Sequence, residues 1–302
     1  MAISRGQLVK ELEPGLNALF GLEYKRYENQ HAEIYTTESS DRAFEEEVML
    51  SGFAQAQVKP EGSGVTFDNA QETYTARYSH ETIALAFSIT EEAIEDNLYD
   101  RLASRYTKAL ARSMANTKQV KAVSPLINGL PSGSFTSGDG VSLFNTAHPT
   151  ISGTVKNTLT TAADLNETSL EQSLIDIAAM TDERGLKIAA RGVKMIVPSE
   201  LQFTAERLMK SQGRTSTADN DINAIASMGM IPQGYRVNNF LTDTDASYII
   251  TDVPNGMKYF ERTPIRTAME GDFDTGNVRY KARERYRFGV SDYRGIFGVE
   301  GA

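Results

Sequence analysis

Residues 90–125 read TEEAIEDNLYDRLASRYTKALARSMANTKQVKAVSP, and the helix they encode constrains how the rest of the chain is arranged. Thr90 is a helix-capping residue type, Glu91 and Glu92 stand in the first turn, and Lys118 and Lys121 stand in the last. Both ends therefore complement the helix macrodipole. Apolar residues recur at Ile94, Leu98, Leu102, Tyr106, Leu110, Met114 and Val120, close to one helical stripe. Ser124-Pro125 predicts the end. About 30 helical residues measure roughly 45 Å, against an average globular helix of about 11–12 residues, so this one predicts the spine of an elongated domain.

Upstream, residues 53–89 predict a long β-hairpin with a bend at Glu61-Gly62-Ser63-Gly64. It holds few large aliphatics before Ile83, Leu85, Phe87 and Ile89, so most of its length cannot bury itself in its own domain and is expected to reach a neighbour. Residues 1–52 predict short helices and a polar passage; Leu8, Leu12, Leu16, Leu19 and Phe20 form only a thin stripe, which predicts an arm lying on another element.

Downstream, residues 124–160 are rich in Gly, Ser and Pro and mark a boundary. Thr168 with Glu171 predicts a capping box opening a helix through Leu174, Ile175, Ala178 and Met180 that stops at Gly185. A strand at Val193–Val197, helices starting at Pro198-Ser199 and within DINAIASMG, and strands in YRVNNF and SYIITD complete a predicted α/β unit over 124–260. The tail, 261–302, is β-rich. Within it, VRYKARERYRFGV at 278–290 alternates strictly. Arg279, Lys281, Arg283, Arg285 and Arg287 fall on one strand face, and Val278, Tyr280, Ala282, Glu284, Tyr286, Phe288 and Val290 on the other. At roughly 6.5–7 Å between same-face residues, the cations form a ruler about 27 Å long. The ruler suits phosphates or carboxylates of a partner, with a solvated outer strand face as the plain alternative, and carboxylates such as Glu45, Glu46 and Glu47, or Glu91, Glu92 and Glu95, are available as counter-charges.

The chain has 302 residues, 40% of them hydrophobic, enough for a sizeable core. With 40 acidic against 31 basic residues its net charge is −9, so any nucleic-acid contact has to be local. The absence of cysteine excludes disulfides and thiolate metal sites. No apolar run approaches the roughly 20 residues of a membrane helix, and the chain reads as soluble and unsecreted.

Catalytic, cofactor and metal motifs are not found. Gly129-Leu130-Pro131-Ser132-Gly133 has the wrong spacing for a nucleophile elbow. His31, His80 and His148 lie in three unrelated segments, and His148 before Pro149 reads as a loop hydrogen-bonder. Asp243, Asp245 and Asp252 lack the framework of a calcium loop and read as a solvated turn. No phosphate-cradling glycine motif sits between a strand and a helix.

The order of arm, long polar hairpin, long helix, α/β insert and terminal strands resembles the major capsid proteins of tailed bacteriophages. LFNTAHPT at 143–150, GLKIAARGVKMIVPSELQFTAERLMKS at 185–211 and the final RYRFGVSDYRGIFGV carry the likeness, which covers nearly the whole chain. It implies an α+β capsid fold: N-terminal arm 1–52, extended β-hairpin loop 53–89 with Lys59, Glu61, Gly62 and Gly64 at its tip, peripheral-domain spine helix 90–123, axial domain 124–260, and closing peripheral strands 261–302. It further implies hexamers and pentamers of this chain enclosing double-stranded DNA in a virion, assembled in the host cytoplasm with a separate scaffolding protein or after processing of the chain, with a portal and, as an optional partner, a decoration protein, and with no membrane, enzyme or cofactor role. Arg279, Lys281, Arg283, Arg285 and Arg287 become intersubunit or DNA-facing candidates, with ion pairing of Arg283, Arg285 and Arg287 ahead of DNA contact. An encapsulin-like compartment shell and a β-rich nucleic-acid-binding module are the alternative readings.

Overall fold

The computed structural model describes residues 5–90, 92, 99–214, 221–272 and 276–302, with side chains of 5–12 and 99–102 excepted. Its backbone helices are α1 (Arg5–Arg26) and α2 (Tyr99–Ile127), which pack along each other over one face of a four-stranded sheet. That sheet runs β1 (Thr36–Ser39), β10 (Met257–Gly271), β11 (Val278–Val290), β4 (Glu81–Ile89), in that spatial order, with β1 parallel to β10 and the other pairs antiparallel.

The first turn predicted for the long helix, with Glu91, Ile94 and Leu98, lies outside the described residues. The C-terminal end differs from expectation: α2 continues through Pro125 to Ile127. Proline loses its own amide bond and crowds the carbonyl four residues back, and burial of the adjacent Leu126, fully enclosed, holds the last turn in the core against that cost. The buried stripe is also rotated from the predicted one. Ala103, Thr107, Leu110, Ala111, Met114, Lys118, Ala122 and Leu126 are buried, whereas Tyr106 and Val120 are about half exposed, 48% and 50%. Small residues at 103, 111 and 122 let the helix approach the sheet closely, and a reading based on large apolar residues passes over them. Leu16 and Phe20 of α1, Leu110 and Met114 of α2, and Ile89, Tyr280 and Ala282 of the sheet form one apolar cluster. Burying one such side chain contributes about 1.5–3 kcal/mol.

Two predicted elements are redistributed. α1 is one helix running through Pro14, not several short pieces, and it lies on the chain's own α2 and β10. The predicted hairpin over 53–89 is also displaced. Its arms are β2 (Phe44–Leu50) and β3 (Glu72–Ser79), residues 51–71 form no strand, and β4 belongs to the larger sheet.

The α/β unit holds a second sheet: β12 (Ile296–Val299), β9 (Ser247–Thr251), β7 (Gly192–Val197), β8 (Tyr235–Val237). Helices α3 (Glu167–Ala179), α4 (Gln202–Lys210) and α5 (Ala224–Met228) accompany it, with the small ribbon of β5 (His148–Thr150) and β6 (Gly153–Val155). The capping box of α3 is formed by Asn166 and Ser169, not by Thr168 and Glu171. Asn166 Oδ1 accepts from Ser169 N at 2.9 Å, and Ser169 Oγ accepts from Asn166 N at 3.0 Å. The helix stops at Ala179 before Gly185, and Ile175 faces solvent while Ile177 is buried. The tail does not close only the first sheet: β12 is an edge strand of the second, and β10 begins at Met257, before 261. The chain crosses between the sheets at Gly256 and Gly295, where a Cβ on Gly295 would stand 2.3 Å from the Gly256 Cα. Nothing larger than glycine fits without displacing backbone.

Candidate assembly surfaces

β11 presents two unlike faces. Tyr280, Ala282, Glu284, Tyr286 and Phe288 are buried toward the helices, while Arg279, Lys281 and Arg283 are exposed on the other side and Arg285 and Arg287 are half-buried there. The strict alternation therefore appears as a strand with a cationic outer face.

The inner face finds its counter-charge within one chain, although Glu284 Oε1 and the Tyr286 hydroxyl are buried without a hydrogen-bond partner among the described residues. Glu284 is fully buried; its Oε2 accepts from Lys118 Nζ of α2 at 3.4 Å and from the Tyr24 hydroxyl of α1 at 3.2 Å. Lys118 is also 3.8 Å from Glu261 of β10 and lies over the rings of Tyr259 and Tyr286. Burial pushes the Glu284 carboxyl above its ordinary range, and Lys118 pulls it back. Nearby, His31 packs edge-on against Tyr259 and Phe288, and its Nδ1 is 3.0 Å from Gln119 Nε2. Burial, followed by the charge of Lys118, lowers the His31 pKa from 6.5 to about 4.

The outer face is satisfied only at its ends. Arg279 pairs with Asp272 at 2.6 Å, and Arg287 pairs with Glu81, which also binds Lys121 at 2.5 Å. Burial opposes ionisation of Glu81, yet Lys121 and Arg287 hold its carboxyl below the ordinary range. The predicted acidic strip is engaged elsewhere: Glu45 accepts from Ser40, Glu46 pairs with Arg77, and Glu47 pairs with Lys258. Glu92 is exposed, and Glu91 and Glu95 lie outside the described residues. Lys281, Arg283 and Arg285 have no carboxylate within 4.0 Å among the described residues. Arg266 of β10, opposite Arg283, is exposed in the same state and was missed because β10 does not alternate cations. Glu81 was missed too, since only the β4–β11 register, with Glu81 opposite Tyr286, brings it to Arg287.

The β2–β3 hairpin covers the far end of this outer face. Tyr78 packs edge-on against Phe260 at 4.7 Å and its hydroxyl meets Ser291, while Lys258 reaches Glu38 at 3.0 Å as well as Glu47. Beyond it, residues 51–71 project. Ser51 N donates to Gln71 O at 2.8 Å, Ala54 N to Asp68 Oδ2 at 2.7 Å, and Arg184 to Asn69 O at 2.6 Å, so the base is tied down. The predicted tip residues Lys59, Glu61, Gly62 and Gly64 are all exposed around a turn in which Pro60 O accepts from Ser63 N, with Gly62 at φ +79°. Phe53, Val58, Val65 and Phe67 are between 60% and 95% exposed, more apolar surface than a free chain presents without a use.

The motif LFNTAHPT has a structural role. His148 is buried, with Nδ1 2.6 Å from Asp139 Oδ2 and Nε2 3.0 Å from Asn157 Oδ1, and it stacks on Tyr293. Asn157 Nδ2 donates to the carbonyls of Leu143, Tyr293 and Ile296, so the cluster joins this loop to the C-terminal segment. Among the described residues no group of three His, Cys, Asp or Glu could hold a metal ion, and no helix is long and apolar enough to cross a membrane.

Among curated proteins, none matches the sequence. The fold is that of solved capsids. The capsid of an empty GTA particle is 14% identical at a TM-score of 0.54, covering 90% of this chain and 89% of that one. The capsid of Myoviridae phage XM1 is 11% identical at 0.55, covering 89% of each. A virus-like particle from Pyrococcus furiosus is 9% identical at 0.55, covering 95% and 98%. The family model for phage capsid proteins matches residues 73–299, from β3 through the long helix and the α/β unit to the end of β12, which does not favour a compartment shell or a nucleic-acid-binding module, and the chain belongs to the phage capsid protein family.

Proposed function

We propose that this chain is a major capsid protein whose copies form hexamers and pentamers and close an icosahedral shell around packaged double-stranded DNA. The observation that carries the reading is the loop at 51–71: its base is tied to its own chain, yet Phe53, Val58, Val65 and Phe67 remain uncovered. Each such side chain contributes about 1.5–3 kcal/mol once covered, and a neighbouring copy in a shell supplies the cover. In this reading, residues 1–43 act as an arm on the spine helix, the hairpin and loop within 44–79 as the strap across a neighbour, the helix ending at 127 as the spine, and the α/β unit as the axial domain. β10 and β11 close the peripheral sheet. A scaffolding protein and a portal are the expected partners and a decoration protein an optional one, with assembly in the host cytoplasm and no enzymatic step. The cations at Lys281, Arg283 and Arg285 serve contacts outside the single chain.

Deleting residues 58–70 tests the strap. The expected product is a folded subunit with unchanged far-ultraviolet circular dichroism that forms no stable shells by electron microscopy. Normal particles from the deletion would overturn the strap.

A further inference from the structure

The peripheral sheet ends at β4, and that edge lacks the usual protections. Its pairing with β11 is continuous from Glu81 to Ile89 without a bulge, and ETIALAFSI contains no proline and no lysine. Its one charge, Glu81, is occupied by Lys121 and Arg287. Among the described residues no strand pairs with its other side. Natural proteins blunt long flat edges because a row of free amides and carbonyls is a template for another strand.

The surroundings of this edge are chemically specific. On the face away from the helices β4 presents Thr82, Ala84, Ala86 and Ser88, and directly behind them β11 presents Arg285, Arg283, Lys281 and Arg279. A strand added to β4 would lie about 9–10 Å from β11, two strand spacings, which an arginine and a glutamate side chain bridge together across the small side chains of Thr82, Ala84 and Ala86. Arg285 Nε is buried with no acceptor, so the chain itself leaves this guanidinium short of a partner. On the other face, Leu85 and Tyr106 are nearly half exposed beside the same edge and form an apolar shoulder. The surface thus asks for an extended segment with carboxylates on one side and apolar groups on the other.

We infer that the open edge of β4 receives an extended, carboxylate-bearing segment of a second copy of this chain, which joins the sheet as a fifth strand and neutralises Lys281, Arg283 and Arg285. The inference rests on the assembly reading above. A second copy fits because each subunit carries a net charge of −9 and therefore brings excess carboxylates, in fixed register, to every contact. Double-stranded DNA fits the cations but not the edge. Phosphates only accept hydrogen bonds, so the β4 carbonyls would remain unpaired, whereas a peptide strand satisfies amides and carbonyls together.

The chain contains no cysteine, so Ala86→Cys provides a single attachment point for a thiol-linked photocrosslinker. In shells assembled without nucleic acid, irradiation is expected to give a covalent dimer whose crosslinked peptide contains Asp or Glu. Ala86→Lys, which places a lysine on the edge, is expected to raise the protein concentration needed for assembly at least tenfold while leaving the melting temperature of the unassembled subunit unchanged. Wild-type shells accompanied by normal assembly of Ala86→Lys, or crosslinks only within one chain, would overturn the inference and leave the assembly reading intact. Normal empty shells from Ala86→Lys that bind less DNA would assign the surface to phosphate and overturn it equally. Wild-type protein that forms no shell under any condition would overturn the assembly reading and this inference with it.

Discussion

The two faces of β11 belong to the same 13 residues and follow opposite rules. Toward the helices, the one carboxylate among apolar residues, Glu284, is met by Lys118 and Tyr24 from two other elements, and the polar groups are largely paired within the chain. Toward the outside, cations at 281, 283 and 285 find no counter-charge among the described residues, although the chain has an excess of acidic residues. The difference separates what stabilises one subunit from what a subunit leaves for its neighbours. A buried ion pair is costly to break because the remaining charge has no solvent, while an exposed cation is hydrated and costs little until something binds it.

The comparison breaks most sharply at the buried pair. Lys118→Ala leaves Glu284 uncompensated and is expected to destabilise the subunit by about 3–5 kcal/mol in chemical unfolding, while Lys118→Met with Glu284→Leu should recover most of that loss. A double variant no more stable than Lys118→Ala would show that packing, not charge, sets the cost. One turn pair along α2 tests which stripe faces the core. Leu110→Ala, at 4% exposure, should cost about 2–5 kcal/mol, and Val120→Ala, at 50%, should stay within about 0.5 kcal/mol. Equal effects would mean that the helix is rotated from the position described.

The inner face should also respond to pH. His31 has a folded pKa of about 4 against 6.5 for the ordinary group, so between those values the unfolded chain binds more protons than the folded one. Stability should be complete above pH 6.5, fall by up to about 3 kcal/mol as the pH drops toward 4, and level off below. Comparing melting curves of the wild type and His31→Gln isolates this slope; identical slopes would remove His31 as its source. The smallest effects belong to the outer face. Lys281→Ala and Arg283→Ala should each change subunit stability by no more than about 0.5 kcal/mol, and a larger loss by thermal unfolding would mean that these cations are paired within the chain.

Much of this was legible in the sequence where the signal is a local period. The alternation at 278–290 produced a strand with the expected faces, and the long run after Thr90 produced a helix. The short helix in DINAIASMG and the strand ending in Val197 fell where turn and cap residues put them. Misreadings arose where two local signals competed. Asn166 with Ser169 prevailed over Thr168 with Glu171 because the Ser169 hydroxyl could also donate to the Asp164 carbonyl. The polar stretch 53–71 looked like a hairpin arm, but without a pairing partner it remained a loop while 44–50 took that place.

By itself, then, the sequence determined the periods: which residues of β11 share a face and that a helix of unusual length follows the hairpin region; with no cysteine, it also determined that no disulfide staples the fold. Those properties depend on backbone geometry between residues a few positions apart, and they hold before any long-range contact forms. Only the tertiary structure decided the partners. Lys118 and Glu284 are separated by 166 positions and Glu81 and Arg287 by 206, and neither pair is visible until the strands choose a register and α2 chooses a rotation. Register and rotation are set by burying the small and apolar residues together, so the charges that remain unpaired, and the surface available to another copy, are what that packing leaves over.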